Sequence, residues 1–395
     1  MKSMHQCPKD EFLCTIAVIF NAARWLGVPK RGGNTAMCLS VVILFMLLGL
    51  EFTAIWKLIR AFGGWAVVKG STTARLSGAI FYGNALFSHL LSWKFISSWE
   101  DLSLHWTKIE IAEVIRLPQD VQIKKRMTIV TCFVATCALL EHVLSMMAAT
   151  GLNCPPAEYF QQYILSSHGF LIHKWEYNLW IAVPIFFLSK VATILWNFQD
   201  LMIILISMGL TSRYHRLNSC VKRVIKSEKR KGKQGKFGTE KYAEVQTWRR
   251  LREAYVRQAE LVRRVDGNLG ALILLSNLNN LYFICLQLFL GINNEQGPPI
   301  NRIYYFLSLS WLIFRACSVV LVAADIHTHS RSALPLLHAC PCNVYNVEIS
   351  RLKTQLTYDF VAIKGMGLFA LDRKLLLEVA AVILKYELVL IQFDK

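Results

Sequence analysis

The most informative chemistry in this 395-residue chain lies in three polar side chains at heptad spacing in an apolar terminal stretch: Glu378, Lys385 and Gln392, within KLLLEVAAVILKYELVLIQFDK over residues 374–395. In a membrane such groups demand water or a partner, because each charge at the centre of a lone lipid-facing helix costs about 2.5–3.5 kcal/mol on insertion scales. At about 100° per residue, Glu378, Val382, Lys385, Val389 and Gln392 share one face, while Glu387 points roughly the other way. A water-filled pore is the simplest medium for that stripe, so ion conduction is the leading expectation.

A second polar set recurs at mid-depth in other apolar stretches. At about 1.5 Å per residue, Glu141, His142, Lys190 and Arg315 fall near the middle of a bilayer or slightly outward. Asn84, Ser88 and His89 reach similar depth, as do Asn277, Asn279 and Asn280, and Tyr82, Tyr282, Tyr305 and Trp311 lie in the outer halves of the same stretches. A sugar or small polyol needs fixed donors and acceptors for its hydroxyls and rings for its C–H faces, so an outward cavity with this lining suits it. The candidates are Tyr82, Asn84, Ser88, His89, Glu141, His142, Tyr282, Trp311 and Arg315. The other reading of the same residues is structural: Glu141 paired with Arg315 or Lys190 to hold helices in register, and Asn and Ser as interhelical glue.

What must position these groups follows from composition. With 54% hydrophobic residues, 18% charged ones and a mean hydropathy of +0.37, the chain holds more apolar material than a globular core uses, which predicts a multi-pass all-α membrane protein. Runs free of Asp, Glu, Lys and Arg predict spans near residues 32–50, 76–93 and 267–294. Interrupted runs at 127–149, 177–210 and 303–324 and the terminal stretch bring the count to seven. Between Arg213 and Asp266 there are 17 Lys and Arg against six Asp and Glu, a concentration that belongs on the cytosolic side. Counting from it puts the N-terminus inside and the C-terminus outside, inverted relative to G-protein-coupled receptors. Four basic residues in the first outer loop, Lys57, Arg60, Lys69 and Arg75, dissent and are outweighed.

The expected organisation is a cytoplasmic N-terminal segment (1–35) with a short interfacial or re-entrant helix, spans 1–4 (36–212), a basic cytoplasmic loop with anchor helices (213–266), spans 5–6 (267–325), a second cytoplasmic anchor segment (326–371) and a pore helix (372–395). Within the basic loop, the glycines of residues 227–239 predict flexibility. From Tyr242 through Val245, Trp248, Leu251, Tyr255, Ala259 and Val262 the spacing predicts an amphipathic helix entering the fifth span, serving as an anchor or lying on acidic lipid.

Several classes are excluded. A basic loop between spans speaks to topology, so no nucleic-acid partner is expected. Most of the eleven cysteines sit in apolar runs as small hydrophobes. His327, His329, His338, Cys340 and Cys342 suit zinc by type but match no common ligand spacing, so no metal is expected. The chain carries no phosphate loop, HExxH or nucleophile elbow, so neither enzyme chemistry nor a cofactor is expected.

The terminal YELVLIQF, residues 386–393, resembles the TYhhhhhQF signature of insect gustatory receptors, and most closely their sugar-sensing branch. LEHVLS (140–145), SNLNNLYFICLQLF (276–289) and GMGLFALDRKLLL (365–377) are similar to segments of that branch. The resemblance implies an insect chemoreceptor-type channel: a tetramer, homomeric or with related receptors, gating cations in the plasma membrane of taste neurons. It also implies a tastant pocket in the outer half of the first six helices, with membrane lipid and a small-molecule tastant, sugar foremost, as partners. By the same resemblance Tyr386, Glu387, Gln392 and Phe393 form the signature, and Gln392 and Phe393 stand at the narrow point of the pore. Two positions depart from the pattern. Lys385 replaces the usual Thr, and Glu378 stands where small or apolar residues are common. A fourfold ring of ammonium groups opposes cations unless Glu378 or Glu387 neutralises it. A receptor for bitter tastants, a heteromer subunit silent on its own, a metabotropic receptor and a transporter are the competing readings.

Overall fold

Backbone groups inside a bilayer find no water, so apolar spans must close their hydrogen bonds internally, and helices do this within one segment. The computed structural model describes residues 10–28, 34–64, 72–112, 117–233, 241–292, 299–342 and 345–393. Its helices are α1 (Glu11–Ala23), α2 (Asn34–Phe62), α3 (Thr72–Ala112), α4 (Ile123–Thr150), α5 (Tyr159–Ser167), α6 (Leu179–Lys233), α7 (Lys241–Ile292), α8 (Pro299–Arg331), α9 (Leu334–His338), α10 (Val347–Tyr358) and α11 (Arg373–Phe393). A two-stranded hairpin, β1 (Lys364–Gly365) and β2 (Phe369–Ala370), precedes α11. Among the described residues five helices, α2, α4, α6, α7 and α8, are long and apolar enough to cross a membrane. α3 has 41 residues, but Lys94, Glu100, Asp101 and Lys108 punctuate its second half.

At 55 and 52 residues, α6 and α7 run roughly 80 Å each, far beyond a bilayer's hydrocarbon thickness. Their extensions pack against each other. Trp248, Leu251, Tyr255, Ala259 and Val262 are all buried, so the helical spacing expected from Tyr242 onward holds; the Tyr242 side chain lies outside the described residues. Polar clamps join the two rods: Trp248 Nε1 donates to Glu228 Oε1 at 2.9 Å, Tyr255 OH to Asn218 Oδ1 at 2.6 Å, and Arg213 Nε to Gln258 Oε1 at 2.8 Å. Flexibility expected from residue 227 is corrected as far as Lys233, where α6 is still helical, because Ile225 and Glu228 are buried and fix that stretch. Residues 234–240 lie outside the description.

The N-terminal helix α1 buries Phe12, Leu13, Ile16, Phe20 and Ala23 against the protein. Phe12 stacks on Trp106 of α3 with ring centroids 4.7 Å apart. It also rests on the backbone of Gly209 in α6, where an added Cβ would stand 2.4 Å from the ring, so only glycine admits this seat. Asp10 caps α1 by accepting from Phe12 N and also accepts from Trp106 Nε1 at 3.2 Å.

The hairpin turns through Met366 and Gly367, both at positive φ, and Asp266 of α7 accepts from Lys364 N at 2.6 Å. Asp372 then caps α11 by accepting from Leu375 N. Arg373 at the head of α11 meets Asp325 of α8 at 3.2 Å, so the last helix is fastened at its start.

Candidate functional site

A cavity of about 520 Å³ opens among α3, α4, α6, α7 and α8, with α5 and the segment after it as its cover. That volume lies within the ~300–1,000 Å³ range of small-molecule sites. Aromatic walls come from Phe81, Phe170, Trp196, Phe283, Tyr304 and Trp311. Hydrogen-bonding groups converge between them, notably Glu141, His142, His168, Asn197, Gln287 and Arg315.

Glu141 accepts from Ser308 Oγ at 2.6 Å, and Ser308 in turn accepts from Gln287 Nε2 at 3.0 Å, joining α4, α7 and α8 across one wall. The floor is a buried ion pair between Arg315 Nε and Asp200 Oδ2, 2.8 Å apart, with side chains 3% and 0% exposed. Its lone pairs and protons are served by neighbours. Arg315 Nη1 donates to Asn197 Oδ1 at 2.7 Å and Nη2 to Asn280 Oδ1 at 3.3 Å, while Ser276 and Asn280 donate to Asp200. The guanidinium also lies 4.5 Å from the Trp196 ring centre. The register pairing expected for Glu141 with Arg315 or Lys190 is thus replaced: Asp200 lies directly across from Arg315, and Lys190 donates to Tyr163 OH at 2.9 Å over the Phe186 ring.

His168 faces the rings of Tyr82, Tyr163 and Phe170, and both of its nitrogens are buried with no partner among the described residues. Burial, with Lys190 adding to it, pushes its pKa down to about 4, so the ring is neutral and offers one donor and one acceptor. His142 Nε2 and Trp311 Nε1 are likewise buried without partners. Unspent polar atoms around a cavity are what a polar ligand would satisfy.

Of the candidates read from sequence, Glu141, His142, Trp311 and Arg315 line this cavity. Tyr82 is fully buried behind it, against His168 and Phe170. Asn84, Ser88 and His89 lie deeper: Asn84 accepts from Gln199, Ser88 donates to Leu195 O, and His89 pairs with Ser40 Oγ at 3.1 Å. Tyr282 stands edge-on to Phe283. The sequence reading missed His168, Tyr163, Asn197 and Gln287, and it did not offer Asp200 as Arg315's partner.

On α11, Glu378, Val382, Lys385 and Tyr386 are exposed on the single chain. Glu387, Val389, Gln392 and Phe393 belong to the same helix, and their side chains lie outside the described residues. His327 Nδ1 lies 3.2 Å from Val361 O and His329 Nδ1 2.9 Å from Asp325 O. Among the described residues no group of three or more His, Cys, Asp or Glu is placed to hold a metal.

The family model described as trehalose receptor matches residues 35–395. The chain is 30% identical over 338 residues to the Drosophila melanogaster gustatory receptor for sugar taste 64a, covering 82% of this chain and 71% of that one. It is 30% identical over 321 residues to the Drosophila gustatory receptor 5a for trehalose, covering 78% and 67%. In fold it is similar to the insect olfactory receptor OR5 from Machilis hrabei, with a TM-score of 0.72 at 13% identity over 97% of this chain and all of that one; the same receptor in complex with eugenol aligns with a TM-score of 0.67.

Proposed function

The chain belongs to the trehalose receptor family of insect gustatory receptors, and from that premise we propose that it is a sugar-gated cation channel of the plasma membrane of taste neurons. The observation that carries the reading is the lining of the 520 Å³ cavity, which brings residues with unpartnered polar atoms, His142, His168 and Trp311, together with aromatic side chains, the two kinds of group a pyranose or furanose requires. Relatives named for sugar taste and for trehalose support sugar as the ligand class. That the same fold is known with eugenol bound supports small-molecule recognition by this architecture.

In this reading α2, α3, α4, α6, α7, α8 and α11 are the seven spans, with the N-terminus and the basic α6–α7 extensions inside and the C-terminus outside. Four copies of α11 surround the pore, their Glu378, Val382 and Lys385 faces turned to the axis, with Gln392 and Phe393 at the gate. Exposure of the first three on a single chain supports that use of the helix. Lys385 favours a second reading, a subunit that conducts only beside related receptors, since a fourfold ammonium ring repels cations.

The deciding experiment is whole-cell recording from cells expressing the chain alone and with related sugar receptors, challenged with mono- and disaccharides and with alkaloids. Sugar-evoked inward current is the expected result. Current evoked only by alkaloids would overturn the ligand class, and sugar uptake without current would replace the channel by a transporter.

A further inference from the structure

A second cavity, of about 500 Å³, lies below the first between α4, α6 and α8, toward the end of the bundle that carries the basic extensions. Its upper walls are mostly apolar, formed by Val130, Phe133, Val134, Ile204, Phe314 and Val322, with Ser318 and the buried Arg315 among them. Phe133 and Phe314 are 48% and 52% exposed although they line it, so the cavity opens sideways onto the lipid-facing surface. Its lower end is polar, with Arg126, Thr211, Ser212, His215 and His329. From Trp311 at its top to His329 at its base is 18 residues of α8, roughly 27 Å of helix, ample for the ~15 Å depth of one leaflet's hydrocarbon.

We propose that this cavity is a binding site for one anionic phospholipid of the adjoining leaflet, its acyl chain between Phe133, Val134, Phe314 and Val322 and its phosphate at the Arg126–Thr211–His215 end. Charge favours an anion there. At the polar end Asp120 pairs with Arg126 and accepts from Ser212 Oγ at 2.6 Å, and Asp325 pairs with Arg373 at 3.2 Å, so these acids and arginines balance and the excess positive charge comes from lysines. Lys124 and Lys125 stand exposed on the adjoining first turn of α4. Thr211 Oγ1 is buried with no partner among the described residues, a hydroxyl that a phosphate oxygen would satisfy. An open groove polar at one end and lined over most of a leaflet's depth by apolar side chains fits an amphiphile entering from the membrane better than a water-soluble sugar.

The site also has a consequence for the cavity above it. Trp311 and Arg315 wall both cavities, so a lipid that fixes those side chains changes tastant affinity, and tastant changes lipid affinity by the same factor. The choice of leaflet, but not the site, rests on the orientation proposed above.

The test uses the full chain in nanodiscs of phosphatidylcholine and phosphatidylserine, probed with phosphatidylserine bearing a diazirine on its acyl chain. Labelling mapped by mass spectrometry is expected to concentrate in residues 130–134 and 314–322. An excess of phosphatidylserine should compete better than the same excess of phosphatidylcholine. Val322→Trp and, separately, Ser318→Phe should each reduce that labelling about tenfold, the fold-change that ~1.4 kcal/mol represents, while labelling near Phe45 on the exposed face of α2 stays constant and reports that the variant is folded. Even labelling over all lipid-facing positions, undiminished labelling in both filled variants, or equal competition by the two lipids overturns the proposal. Protease or antibody access to an N-terminal tag is measured separately, so a wrong orientation is distinguished from an absent site.

Discussion

Arg315→Met isolates the floor of the outer cavity. Asp200, its partner at 2.8 Å, is 0% exposed, so the substitution leaves a carboxylate buried without its cation. Removing one member of a buried pair costs about 3–5 kcal/mol, roughly two to four powers of ten in the folded ratio. Ser276 and Asn280 still donate to Asp200 and hold the cost toward the lower end. Replacing both members, Asp200→Leu with Arg315→Met, removes the stranded charge and should recover most of the loss, less the hydrogen bonds that Asn197, Ser276 and Asn280 forfeit at about 1 kcal/mol each. The assay is thermal stability of the detergent-solubilised receptor by fluorescence-detected chromatography, with sugar-evoked current recorded from the same variants. If Arg315 also contacts ligand, the recovered double variant should need roughly ten- to a hundredfold more sugar for a half-maximal response, the loss of one charge-assisted hydrogen bond. A double variant no more stable than Arg315→Met alone would refute the ion-pair accounting. A stable double variant with unaltered sugar sensitivity would remove Arg315 from the ligand site.

Lys385→Thr is expected to raise cation current, and unchanged conductance and reversal potential would place the side chain away from the permeation path. His168, with its pKa near 4 in the fold against an ordinary 6.5, is neutral from pH 8 down to about 5, so sugar sensitivity should be flat over that range; His168→Gln should keep the response and His168→Leu lose about tenfold in half-maximal concentration. Because the unfolded chain takes up that proton first as the pH drops below 6.5, this histidine lowers stability progressively between 6.5 and about 4, and His168→Gln should flatten the slope of melting temperature there. Gly209→Leu drives a side chain into the seat of Phe12 and should lower surface expression and melting temperature, with Phe12→Ala in the same background restoring part of the loss; no change from Gly209→Leu would mean that α1 does not dock as described.

The rods of the fold were readable because long apolar runs and a heptad of buried positions on α7 leave one solution each. Glu141, His142, Trp311 and Arg315 were found for a similar reason, since an intramembrane charge or a paired polar group is rare enough to stand out. Depth along α3 was harder. Asn84, Ser88 and His89 have the right types, but the cavity meets that helix one to two turns nearer its start, at Ser77, Gly78 and Phe81. His168 and Tyr163 escaped notice because they belong to a nine-residue helix and the turn after it, where no periodicity marks which side chains fold inward. Asp200 was visible as a charge in a span, yet its partner sits on α8, more than a hundred residues away, and pairing at that distance depends on helix rotation.

α8 ties these parts together mechanically. Trp311 and Arg315 line the outer cavity and also the one beneath, and ten residues further on, roughly 15 Å along the same helix, Asp325 holds Arg373 at the head of α11. A helix cannot shift at one end without shifting at the other unless it bends, and the described part of α8 has neither proline nor glycine after Pro299 to bend it. A ligand that draws α8 along with Arg315 away from Asn197 or Trp196 therefore also moves Asp325, which meets Arg373 at the head of the proposed pore helix. Asp325→Asn tests that route: if α8 carries the signal, the variant should bind sugar with unaltered affinity while its current falls, whereas equal losses in binding and current would locate the effect in the cavity instead.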